Sequence, residues 1–75
     1  MGIQSKLQEK GLYCEVMEHA NGAVSIEIED GDWKHEHGYC DFLMKELGYI
    51  KTDEHITKET GDDYYSSIHF YEKNN

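Results

Sequence analysis

The chain has 75 residues with sixteen acidic side chains, seven basic ones (all Lys) and a formal charge of −9, and a body this small cannot fold that charge out of sight. The negative field excludes direct nucleic-acid binding, which needs a basic footprint. Hydrophobic residues make up 37% of the chain in runs of only a few, enough for one small folded domain spanning 1–75 and far short of the roughly 20 apolar residues of a membrane span.

The N-terminal residues, Met1 to Lys6, show no apolar signal core, and the sequence reads as cytoplasmic. Residues 1–10 predict a short helix, because Ile3 and Leu7 lie one turn apart and Gly11 would stop it. Residues 12–30 predict an antiparallel hairpin. Leu12, Cys14 and Val16 alternate with Tyr13, Glu15 and Met17. Val24, Ile26 and Ile28 alternate with Ser25, Glu27 and Glu29. Asn21-Gly22 between them suits a two-residue turn, since both residues tolerate positive φ.

Asp32 is a good N-cap for a helix over 33–47. Trp33, Cys40, Leu43, Met44 and Leu47 form its apolar stripe, widened by Tyr39 and Phe42. Gly38 inside it implies close packing or a later start, and Gly48 sits where a C-terminal cap belongs. Residues 49–71 predict a second hairpin, turning at Gly61-Asp62-Asp63. Ile50 and Ile56 anchor its first strand. In its second, Ser66, Ile68 and Phe70 alternate with Tyr65, Ser67, His69 and Tyr71. Residues 72–75 read as a tail. The expected fold is α+β: a two-layer sandwich of a four-stranded antiparallel sheet (ββαββ) with one amphipathic helix on one face and a short N-terminal helix.

If the alternation holds, the uncovered sheet face displays Tyr13, Glu15, Met17, Glu27, Glu29, His55, Thr57, Tyr65, His69 and Tyr71. Tyrosines offer stiff contact area with a polar tip, and carboxylates between them pair with Lys or Arg of a partner. Asp30 and Asp32 extend the acidic row, whose two-residue spacing could imitate successive phosphates. The expected partner-binding residues are therefore Tyr13, Glu15, Glu27, Glu29, Asp30, Asp32, Tyr65, His69 and Tyr71.

Other chemistries have weaker grounds. His35-Glu36-His37 with Cys40 and Asp41 offers pairs one helical turn apart for a zinc ion, but there is no paired CxxC and no HExxH. Ser67 and His69 share a strand face and point in parallel rather than at each other, so no nucleophile–base pair is expected. No cofactor, metal or catalytic residue is assigned. Cys14 and Cys40 allow one disulfide, with two reduced thiols the preferred reading.

The function expected is a non-catalytic module that binds a basic protein, in its sharpest form an inhibitor that blocks a nucleic-acid-binding surface by steric occlusion or mimicry. In kind alone the chain is similar to small acidic accessory proteins of phages and mobile elements that block host nucleases or CRISPR effectors; no motif carries residues across. The alternatives are a homodimeric structural or regulatory domain and a small zinc-binding domain.

Overall fold

Val24, Ile26 and Ile28 leave one strand on the same side, and that apolar face organises the molecule. A computed structural model describes residues 2–74. Its elements are α1 (Ile3–Glu9), β1 (Glu15–Glu18), β2 (Val24–Asp32), a π-helical turn (Trp33–His37), α2 (Gly38–Glu46), β3 (Tyr49–Gly61) and β4 (Tyr64–Lys73). The strands form one antiparallel sheet in the order β1-β2-β4-β3. Val24, Ile26 and Ile28 pack with Ile3 and Leu7 of α1, with Leu12, and with Cys40, Leu43 and Met44 of α2. Each such aliphatic side chain contributes about 1.5–3 kcal/mol on burial. The expected two-layer α+β sandwich is the fold.

Local chemistry adjusts the boundaries. The first hairpin turns through three residues rather than two. The Gly22 N–H donates to His19 O (3.0 Å), the His19 N–H donates to Ala23 O (2.8 Å), and Gly22 takes φ 87°. This is a three-residue hairpin loop closed by a left-handed glycine, which also explains the glycine of Asn21-Gly22. The helix expected over 33–47 starts as a π-helical turn and becomes α-helical only at Gly38. Asp32 does cap it: its carboxylate accepts the His35 N–H at 2.8 Å, while Glu36 accepts the Asp32 N–H at 2.7 Å. Gly48, at φ 93°, ends the helix as expected. Residues 72 and 73 belong to β4, and the Asn74 N–H donates to Gly48 O at 2.7 Å, so the expected tail is largely paired; Asn75 lies outside the described residues.

Two expectations about faces fail. Ile50 and Ile56 do not anchor β3; they are 47% and 52% exposed. A bulge between Lys51 and Asp53 breaks the strand's alternation, and β3 is an edge strand that the helices cover only in part. In β4 the parity is inverted. Register with β2 sets Tyr71 opposite Val24, His69 opposite Ile26 and Ser67 opposite Ile28. Cross-strand partners share a face, so these three go under the helices with the apolar face of β2, and Ile68 and Phe70 turn to the open side.

Candidate functional site

The open face is built by cross-strand register. One row runs Glu15, Glu27, Ile68, His55 across β1, β2, β4 and β3; the next runs Met17, Ser25, Phe70, Asp53. Because directly opposed residues stand about 5 Å apart, each row is a continuous strip of side chains. Glu15 and Glu27 face each other as like charges, an arrangement that costs stability on an isolated sheet. Met17 is 63% exposed, Ile68 and Phe70 are half-buried, and the His55 ring meets Phe70 edge-on at 5.7 Å. His55 Nε2 lies 3.1 Å from Asp53 Oδ2.

Above these rows the ladder is interrupted. Between Ile28 and Gly31 the β2–β4 register shifts, Asp30 takes φ 51°, and its N–H donates to Ser66 Oγ at 3.1 Å. The bulge carries Asp30 to the open side beside Glu29. Thr57 donates its hydroxyl to Ser66 O at 3.1 Å, next to another bulge in β3. This relief leaves shallow depressions. One is lined by Glu15, Met17, Ser25, Glu27 and Ile68. A second is lined by Glu27, Glu29, Asp30, Thr57, Lys58 and Ser66, and a third by Tyr13, Cys14, Glu15, Glu27 and Glu29 with Gln8. Glu27 borders all three, and Lys58 is the one basic residue among their linings.

Of the expected binding residues, Tyr13, Glu15, Glu27, Glu29 and Asp30 therefore share one surface, with His55 and Thr57 on it as expected. Four do not join them. Asp32 is taken up in capping the π-helical turn. Tyr65 is half-buried and meets Trp33 edge-on at 5.4 Å. His69 and Tyr71 are 0% and 1% exposed, on the covered face, so neither can touch a partner in this conformation. The residues missed on the open side are Ile68 and Phe70. The signal for them was ambiguous, since Ile/Phe and Tyr/His parities carry similar apolar bulk, and only the match to β2 decides between them.

The covered face holds polar chemistry of its own. Tyr71 donates its hydroxyl to Asp41, and Lys51 bridges Asp41 and Glu54, at 2.9 Å from the former. Burial tends to pull the Lys51 ammonium down, but the hydrogen bonds to Glu54 and Asp41 outweigh it and the net shift is upward. Burial pushes the Tyr71 hydroxyl well above the usual phenol range. Contrary to the parallel arrangement expected, Ser67 Oγ and His69 Nε2 meet at 2.7 Å. Both residues are 0% exposed, so no substrate atom reaches that hydroxyl in this conformation. His37 turns in toward His69 while Asp41 turns to Lys51 and Tyr71, so the zinc pair suggested by spacing is not brought together. Among the described residues no three His, Cys, Asp or Glu side chains converge as a metal site. Cys14 and Cys40 are free thiols, pushed up by burial to about 11 and about 12.

Comparison with protein-family models, with curated proteins and with solved structures gives no match.

Proposed function

We propose that the protein is a non-catalytic binding module that docks its open sheet face on a basic, partly apolar surface of another protein. The carrying observation is the juxtaposition of Glu15, Glu27, Glu29 and Asp30 with the strip Met17, Ile68 and Phe70. The strip supplies apolar contact area; the carboxylates supply steering and partner choice. A second copy is a poor occupant, because the depressions on this face carry four carboxylates against one lysine and a copy would bring the same negative charge to them. Edge pairing fares no better. The exposed edge strand β3 is broken by three register shifts and β1 is only four residues long, features that blunt an edge. A cleft that normally holds nucleic acid combines cationic and apolar groups, so an inhibitor of a nucleic-acid-handling protein is the sharpest form of this reading.

Charge reversal tests it. Proteins retained from a host lysate by the wild type at low salt are compared with those retained by Glu27→Lys, Phe70→Asp and, on α2, Glu46→Lys. A partner that both open-face variants lose, that Glu46→Lys keeps and that salt elutes is the expected result. A partner lost equally with Glu46→Lys, or held independently of salt, overturns the assignment.

A further inference from the structure

His37, Ser67 and His69 form a closed triangle beneath the helices, with exposures of 2%, 0% and 0%. His37 Nδ1 lies 2.8 Å from His69 Nε2 and 3.0 Å from Ser67 Oγ, and Ser67 Oγ lies 2.7 Å from His69 Nε2. The protons in it can be placed by elimination. His37 Nε2 is 2.9 Å from the Tyr65 carbonyl, which can only accept, so His37 carries its proton on Nε2 and offers a bare Nδ1. That lone pair faces His69 Nε2. If His69 Nε2 were bare too, two lone pairs would confront each other with a single hydroxyl proton between them. His69 therefore carries its proton on Nε2. The chain runs His69 Nε2–H to Ser67, the Ser67 hydroxyl to His37 Nδ1, and His37 Nε2–H to Tyr65 O.

This order leaves His69 Nδ1 bare, and it is the buried side-chain polar atom without a hydrogen-bond partner among the described residues. It lies 3.5 Å from Glu54 Oε1. His69 Nδ1 is buried without a partner while the Glu54 carboxylate beside it is 35% exposed, so one proton taken up between them gives the buried nitrogen a partner. Glu54 Oε1 is the same atom that accepts from Lys51.

We propose that this cluster is a buried proton-binding site and an acid switch: one proton taken up between His69 Nδ1 and Glu54 Oε1 draws Glu54 from Lys51 and weakens the Lys51–Asp41 tie between β3 and α2. The groups facing His69 are His37 from the π-helical turn, Asp41 from α2, Lys51 and Glu54 from β3, and Ser67 and Tyr71 from β4. Burial disfavours the charged ring most, the Lys51 ammonium and His37 add to that, and Asp41 and Glu54 oppose them. The balance holds His69 down to about 4, so the site is empty at neutral pH and fills in acid. When it fills, a positive ring stands beside the Lys51 ammonium as that ammonium loses a partner.

Ring nitrogen chemical shifts of the intact protein followed from pH 8 to about pH 2.5, through the His69 step, test the switch. At pH 8 both His37 and His69 should be Nε2–H tautomers. On acidification His69 Nδ1 should gain a proton in one step, and the Lys51 side-chain resonance should move in the same step. In Glu54→Gln the His69 step should shift down by half a pH unit or more, and in His55→Gln, altered on the open face, it should stay in place. An Nδ1–H tautomer of His69 at pH 8, which needs no variant to observe, overturns the proposal. So does an unmoved step in folded Glu54→Gln. A perturbation of these ring nitrogens by zinc at pH 8 overturns it in favour of a metal.

Discussion

Gly31 is the residue whose side chain the fold can least accept. A Cβ there would lie 2.6 Å from Ile28 Cγ2 and 3.1 Å from His37 Nε2. The bulge at Asp30 brings the π-helical turn this close, and only hydrogen fits in the gap. Gly31→Ala should destabilise by about 1–3 kcal/mol as an overpacking change, measured by urea unfolding. Tyr71 is 1% exposed and its hydroxyl is held by the Asp41 carboxylate. Tyr71→Phe should lose about 1.5–3 kcal/mol, the range for a hydrogen bond to a charged group. Cys40 is 0% exposed with its thiol raised to about 12, so a thiol reagent should label it only through unfolding, at a rate that tracks denaturant. None of these environments is visible in the sequence. Tyr71 reads there as a surface tyrosine and nothing marks Gly31 as a close approach, because close approach and face are properties of the register with neighbours.

Among the elements, those with a strong local signal are where the sequence places them. The Asp32 cap, the apolar run of β2 and the Gly48 stop each act within a few residues of themselves, and all three persist in the structure. Asp32→Ala should cost about 1 kcal/mol through the lost cap, read from thermal unfolding. The weak elements are those whose faces are decided at a distance. β3 alternates poorly in the sequence, and its three register shifts show why: each bulge adds a residue and flips the side chains beyond it to the opposite face. β4 alternates cleanly yet carries comparable apolar bulk on both sides, so its parity waits on β2. The candidate site divides along the same line. Glu15, Glu27 and Glu29 sit on strands whose inward face is unmistakably aliphatic, so their outward direction was legible. Ile68 and Phe70 were hidden by the inverted parity of β4, and Asp30 reaches the open side only through its bulge.

For the whole molecule, charge and one buried ring set the response to solution conditions. A formal charge of −9 repels itself, so raising salt from ~0.01 to ~0.15 M should raise the melting temperature as the screening length shortens. Acid should act in the opposite sense. His69 is held at about 4 in the folded protein, against 6.5 as the ordinary value. Above pH 6.5 the ring is neutral in both states and adds nothing. Below it the unfolded chain gains a proton that the folded one refuses, so stability falls down to pH 4 by an amount of about 3 kcal/mol. Urea midpoints across this window should show the slope, and replacing His69 by Gln should flatten it. Composition and periodicity alone determined the acidic character, the ββαββ order and the two-layer sandwich, because these depend on counts and on contacts within one element. The tertiary structure alone decided which side of β4 is covered, that a serine and two histidines close a ring in the interior, and that Met17, Ile68 and Phe70 lie among the glutamates. Those outcomes depend on register between strands far apart in the chain, and a shift of one residue exchanges every inward side chain for an outward one.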